Sequence, residues 1–251
     1  MLMLINEKTM NKVFTPLIFA VTIIISAFIL GNAWKRTHQQ NETIRVTGMA
    51  SKDFISDLIV WRGTFSKKSF SMKDACAELK RDASLTKDYL LKKGVKESEM
   101  VFMAVNTMKD YRYSNNSSGQ STSVFDGYVL SQDIQIESNE VDKIEKISRE
   151  VTDLIDLGVE FNSQSPYYYS TKLADLKIEM LAQASVDGRL RAEKMAESAG
   201  GKLGGLRSAS MGIFQITGQN SGENYSWGGA FNITSKKKTA SITVKLEYAV
   251  K

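Results

Sequence analysis

The sequence predicts an α+β fold: a split βαβ pattern, β-α-β-β-α-β, extended by α-β-β into a largely antiparallel sheet and preceded by one transmembrane helix. Three observations predict it. Strand and helix patterns alternate from residue 54 to 169, the order of a split βαβ. The strands alternate apolar and polar side chains, as half-covered antiparallel strands do. An uncharged apolar run, Val13 to Trp34, stands ahead of all of them.

That run, "VFTPLIFAVTIIISAFILGNAW", has about 22 residues, and at about 1.5 Å each a helix of this length crosses a bilayer core of about 30 Å. Pro16 sits near its start, where a helix tolerates it. Gly31 and Ala33 would suit a signal-peptide cleavage after Ala33, but signal peptides carry a shorter apolar region, so the length favours an uncleaved anchor. Lys8 and Lys12 before the run nearly balance Lys35 and Arg36 after it. A short N-terminal tail stays in the cytosol more readily than a long domain does, so the C-terminal domain is expected outside the cytoplasmic, inner membrane. "MNKVFTPL" reads as a second natural start at Met10. The expected layout is a tail over 1–12, an anchor over 13–34, a linker over 35–43 and a single folded domain over 44–251.

Composition narrows the chemistry. The chain has 251 residues and a formal net charge of +5. Its cations are scattered in pairs, with one triplet, Lys236 to Lys238; a nucleic-acid binder concentrates them on one face, so no nucleic-acid partner is expected. Cys76 is the only cysteine and His38 the only histidine. A disulfide within the chain, a cysteine cluster, a Ser-His-Asp device and a His-rich zinc site are thereby excluded. Neither a cofactor nor a metal is expected.

The domain opens with alternation at Ile44, Val46 and Gly48, followed by the strand "DLIVWRGTFSKK". Ser71, with Asp74 three residues on, starts a helix whose stripe is Met72, Ala75/Cys76, Leu79, Ala83, Thr86 and Leu90; Lys92, Lys93 and Gly94 end it. "VFMAVNTMKDYRY" and "VFDGYVLSQDIQIE" form a hairpin around the polar "SNNSSGQSTS". Asn139 is placed to cap a helix carrying Val141, Ile144, Ile147, Val151 and Leu154, closed by Gly158.

"VEFNSQSPYYYS" is then a strand, with Ser170 or Thr171 as the next N-cap. Tyr167 and Tyr169 point one way along it and Tyr168 the other, which favours sheet packing over a shared pocket. The following helix carries Ala174, Ile178, Leu181, Ser185, Gly188, Ala192, Met195 and Ala199 at three-four spacing, a mostly small stripe expected against the sheet. Gly188 implies close packing or a break. "AGGKLGGL" follows a helix rather than a strand, so its glycines read as a C-cap and not as a phosphate loop. Two final strands flank "TGQNSGENYSWGGAFNITS"; Ala240, Ile242, Val244, Leu246, Tyr248 and Val250 alternate in the last, and Lys236 to Lys238 at its entrance read as edge or loop charges that discourage stray pairing.

The segments "IRVTGMASKDFISDLIVWRGTFS", "LLKKGVKESEMV" and "LADLKIEMLAQASVDGRLRAEKMAESAGGKLGGLRSASM" resemble the SIMPL domain of bacterial envelope proteins, over about residues 44 to 250. The resemblance implies a periplasmic or membrane-anchored α+β domain, with a ring-like, channel-shaped oligomer in at least one member and links to stress tolerance or immune recognition in others. It supplies no catalytic motif. Asp187, followed by Gly188 within the last helix, departs from many relatives.

Three functions are weighed on these residues. The first is a membrane-anchored module that self-associates or binds an envelope partner, with Tyr225, Trp227 and Phe231 in their Gly/Ser/Asn-rich loop, and Tyr168, as candidate contacts. The loop aromatics read equally as anchors folded onto the core. The second is capture of a small ligand or envelope fragment. The third is a carboxylate-pair hydrolase, but Asp142, Glu145, Glu150 and Asp153 stand beside Lys143, Lys146 and Arg149, as solvated ion pairs do. No catalytic residue is singled out, and a non-enzymatic homo-oligomer is the expectation.

Overall fold

The computed structural model describes residues 7–39, 42–115, 121–223 and 228–251. In chain order its elements are α1 (Glu7–Gln39), β1 (Thr43–Ile55), β2 (Leu58–Ser69), α2 (Met72–Lys92), β3 (Met100–Phe102), β4 (Asn106–Asn115), β5 (Ser121–Ser138), α3 (Val141–Glu150), α4 (Asp153–Asp156), β6 (Phe161–Ser163), β7 (Tyr167–Tyr169), α5 (Leu173–Ser198), β8 (Leu203–Gly218) and β9 (Lys237–Val250). The α+β class and the largely antiparallel pairing stand as expected. The folded region divides into two compact units, Met1–Met49 with Leu181–Gly212 and Thr243–Lys251, and Ala50–Met180 with Ile213–Ile242.

In the second unit β2 is the hub. It pairs antiparallel with β5 on one side and with β6 and β7 on the other, and β3 and β4 pair with the far edge of β5. Its inward residues follow the period of two: Ile59, Trp61 and Phe65 are fully buried. Gly63 takes the fourth inward place because a Cβ there would lie 2.0 Å from Phe161 Cζ. Phe161 fills that gap, with its ring centroid 5.9 Å from Trp61 and 6.4 Å from Phe65. Trp61 Nε1 donates to Ser163 Oγ at 3.0 Å, and Ser163 Oγ donates to the Ser148 carbonyl of α3 at 3.1 Å, so the indole's polar edge is satisfied inside the core.

The helices cover one face of this sheet. α2 buries Ala75, Leu79, Asp82, Thr86, Tyr89 and Leu90, while Met72, expected in the stripe, is exposed. Ser71 Oγ accepts from the Asp74 N–H, as its sequence position predicts. Val141, Ile144, Ile147, Val151 and Leu154 are all buried. Asn139 does not cap α3: its side chain donates to the Asp57 carbonyl at 2.8 Å, and Ser138 Oγ accepts from the Glu140 N–H instead. The single strand expected over 159–169 is two short ones, β6 and β7, either side of Pro166, which has no N–H to give to a ladder.

In the first unit the chain runs through parts of β1, β9 and β8, whose hydrogen-bonded order is β1-β9-β8. There α5 meets the strands through its smallest residues. A Cβ on Gly48 would lie 2.0 Å from the Ala184 carbonyl oxygen and 2.6 Å from Gly188 N, and one on Gly188 would lie 2.7 Å from Leu246 Cδ1. α5 is continuous through Gly188, so that glycine serves close packing and not a break. Its buried positions are Met180, Ala184, Gly188, Ala192 and Ala196, spaced by four. The expected stripe is corrected here: Ala174, Ile178 and Met195 are exposed, and around Gly188 the close approach is made by glycine and alanine. Asp187 accepts from the Met49 N–H at 2.9 Å and from Arg191 at 2.9 Å, and the Met49 bond first, then Arg191, hold its carboxyl below the usual range.

α1 is a helix of 33 residues. The expectation that it crosses a membrane meets a limit: among the described residues no helix is long and apolar enough to do so. The side chains described in α1 run only from Ile18 to Trp34, shorter than the uncharged stretch from Val13.

If the Gly48–Gly188 contact sets how α5 seats in the first unit, Gly48→Ala should cost about 3 kcal/mol or more. Gly205→Ala, with nothing within 4 Å of the new Cβ, should change stability by less than about 1 kcal/mol. Urea unfolding of the two variants checks this, and equal losses would refute the close-packing account.

Candidate functional site

The tyrosine row sits in β7 against β2, with Tyr169 opposite Leu58, Tyr168 opposite Ile59 and Tyr167 opposite Val60. Tyr168 is buried and Tyr167 is exposed. Burial first, and then the nearby Glu145 charge, push the Tyr168 phenol above its ordinary range. As a partner contact Tyr168 therefore offers almost no free surface; it belongs to the core cluster.

Its backbone takes part in a less expected arrangement. Lys238 Nζ donates to the Tyr168 carbonyl at 2.5 Å and to the Asn232 carbonyl at 2.7 Å. The Tyr168 N–H donates to the Ile233 carbonyl at 2.7 Å, so the loop after residue 228 is tied to β7 from both sides. Glu223 closes the same loop by accepting from Gly218 N at 2.9 Å and from Asn232 Nδ2 at 2.5 Å.

Lys238 itself is only 2% exposed. Desolvation lowers its pKa to about 8, against the opposing charge of Glu223. The reading of Lys236 to Lys238 as edge or loop charges is corrected at Lys238, while Lys237 is exposed. Lys236 bridges Asp142 and Glu145 of α3, and Lys238 is an interior hydrogen-bond donor. The signal lay in the strand period: Ala240, Ile242, Val244, Leu246 and Tyr248 face inward, and two residues back on the same parity is Lys238.

Of the loop aromatics, Phe231 is exposed and its backbone bridges Ile216. Tyr225 and Trp227 lie outside the described residues. Tyr168 and Phe231 are thus near each other along the backbone, one turned inward and the other outward, and do not line a common pocket.

The carboxylates on and after α3 are engaged by cations. Glu150 and Asp153 lie 3.2 and 3.3 Å from Lys93 Nζ, and Arg149 and Lys236 hold Glu145 below its usual range, Lys236 most strongly. Every carboxyl whose titration is displaced is displaced downward, toward the charged form. A general acid requires the opposite displacement. Among the described residues no group of three or more His, Cys, Asp and Glu side chains is placed to hold a metal ion.

The other exposed feature is the β4–β5 arm. Its base carries a charge knot: Lys68 Nζ lies 2.6 Å from both Asp110 and Asp126, and Arg112 lies 2.8 Å from Asp126. A register shift at Asp110/Tyr111 and the positive φ of Gly127, 118°, turn the arm there. Beyond and around the knot Met108, Tyr111, Tyr113, Val124 and Phe125 are all exposed. Phe125 makes edge contacts with Phe70, Tyr111 and Tyr128 at centroid distances of 6.2, 5.9 and 5.2 Å.

Lys238 yields a pH prediction. Its folded-state pKa, about 8, lies below the ordinary 10.5, so between those values the unfolded chain binds a proton the folded chain has released. Stability from this group therefore rises with pH across that window, and the full burial cost, at most about 3 kcal/mol, is present below pH 8. The neutral amine still has two N–H donors for its two carbonyls. The stability of the parent chain minus that of Lys238→Met should rise from pH 8 to pH 10 in denaturant titrations; a constant difference would show Lys238 to be ordinary.

A search of curated proteins finds no match to this chain. The SIMPL family model, described as a protein of unknown function (DUF541), matches residues 44–248. That span takes in everything from the first strand to the last turn of β9, and the chain belongs to the SIMPL family.

Proposed function

We propose that this SIMPL protein is a single-pass, membrane-anchored module of the cell envelope whose C-terminal region lies outside the cytosol and acts by binding, either to further copies of itself or to an envelope partner. The observation that carries the binding reading is the β4–β5 arm. Five apolar or aromatic side chains, Met108, Tyr111, Tyr113, Val124 and Phe125, stand exposed on one two-stranded extension. Clustered exposure of that kind suits an interface. Phe231 adds an exposed aromatic on a separate loop, and Tyr225 and Trp227 stand beside it in sequence.

The anchor reading is supported by α1, where Ile18, Phe19, Val21, Ile24, Ile25, Phe28 and Leu30 are exposed on successive faces. A helix apolar all round is stable only inside protein or lipid, and the uncharged sequence from Val13 supplies the length. The order of β2, α2, β3/β4, β5, α3 and β6/β7, with β5 next to β2, supports a split βαβ reading of the second unit. The ion-paired state of the carboxylates supports binding over hydrolysis.

The full chain in nonionic detergent, measured by light scattering over a concentration series, is expected to form a discrete species of several subunits. The double variant Tyr113→Ser with Val124→Ser should shift it toward smaller mass or release a co-purifying partner. A strict monomer that also retains no partner, or variants indistinguishable from the parent, would remove the arm from consideration.

A further inference from the structure

α2 carries a second stripe beside the one that faces the sheet. Lys73, Cys76, Ala77 and Lys80 follow one another at i, i+3, i+4 and i+7, so they share one face, with the two lysines about 10.5 Å apart along the axis. Together with Met72 they form one wall of a groove of about 840 Å³, whose other side is Val105 just ahead of β4, Thr107 of β4 and Leu130 of β5. A neighbouring pocket of about 400 Å³ shares Lys80 and continues along α2 past Ala83 and Ser84 to Lys87, against Phe102 and Gln132.

The chemistry of this groove is one-sided. Its middle is apolar and small, and the only charged side chains lining either part are lysines. Lys67, Lys68, Lys93 and Lys236 elsewhere in the unit each hold a carboxylate. Lys73 and Lys80 make no ion pair among the described residues. Met72 and Val105 remain 47% and 45% exposed at the groove. The volume falls within the range of small-molecule sites, about 300–1,000 Å³.

We infer that this groove binds a single unbranched acyl chain ending in a carboxylate, a free fatty acid, with the chain along Cys76, Ala77 and Val105 and the head group at Lys73 or Lys80. An alkyl chain laid there covers the exposed apolar side chains, and the carboxylate supplies a counter-charge to one of the two ammonium groups. The site is separate from the arm proposed above for association, and either stands without the other.

Cys76 makes the groove directly readable, because it is the only thiol in the chain and is partly accessible. The full chain in phosphatidylcholine nanodiscs is treated with N-ethylmaleimide, a neutral reagent, and the rate of Cys76 modification is followed by mass while sodium dodecanoate is added. Saturable protection is expected, weakening about two- to fourfold for each methylene removed from the chain. Dodecanoyl glycerol and dodecyltrimethylammonium should protect at least tenfold less well.

Lys73→Glu with Lys80→Glu should weaken dodecanoate protection at least tenfold, and Ala77→Trp should abolish it. These three positions are exposed on α2, so the variants should keep the parent unfolding transition. Absence of protection by dodecanoate, equal protection by the neutral and cationic amphiphiles, or unchanged protection in both variants would overturn the assignment. Full protection in phosphatidylglycerol nanodiscs without dodecanoate would also overturn it, by making the membrane's own head groups the ligand.

Discussion

The packing of Phe161 into the space left by Gly63 is the constraint on which the second unit depends. β2 touches both halves of its sheet, and its inward face would be a continuous wall of large side chains if residue 63 had a Cβ. With glycine there, Trp61, Phe65 and Phe161 form one aromatic block that is filled from the neighbouring strand. Phe161 stands directly opposite Phe65 in the β2–β6 register. A slip of one residue would turn Phe161 to the other face of the sheet and leave a void beside Gly63. The Trp61–Ser163–Ser148 hydrogen bonds add a directional lock, since the Trp61 indole is fully buried and Ser163 Oγ is its acceptor. A three-residue strand is thereby held in place by its side chains more than by its short ladder.

The first unit relies on the same device by different means. Gly48 and Gly188 bring a strand and a helix backbone together, and alanines one turn either side keep the approach close. The small-residue character of α5 was legible in the sequence, but its face was not. Three-four spacing fits several stripes when alanine, serine and glycine are plentiful, and large residues such as Ile178 and Met195 drew the reading toward themselves. Backbone proximity reverses the usual rule: the buried positions are those with least to bury. In α3, where the apolar residues are bulky and the exposed ones charged, period alone identified Val141, Ile144 and Ile147 as buried, and missed only the small Ser148.

Legibility of the candidate sites follows the same logic. Tyr168 was readable as a packing residue because strand geometry separates it from Tyr167 and Tyr169. Lys238 was misread because its charge outweighed its parity, although β9's alternation places residue 238 inward as surely as Ala240. The groove beside α2 was not legible at all. Lys73, Cys76, Ala77 and Lys80 share a helical face in any reading, but only the pairing of β4 with β5 brings Val105, Thr107 and Leu130 opposite them. A half-apolar face becomes a binding surface through what the topology leaves uncovered, which no local pattern records.

Many charged side chains of the second unit are held in ion pairs. Lys93, Lys236, Arg149 and Arg112 are each held by carboxylates, and the displaced carboxyls titrate lower for it. Such pairs favour the charged form of both partners. Lys238, whose titration is displaced toward the neutral amine, is engaged with two backbone carbonyls, and its consequence is the attachment of a loop. Against that saturated background the exposed apolar arm and the unpaired lysines along α2 stand out, because each leaves an interaction unmade that an added surface or chain would complete.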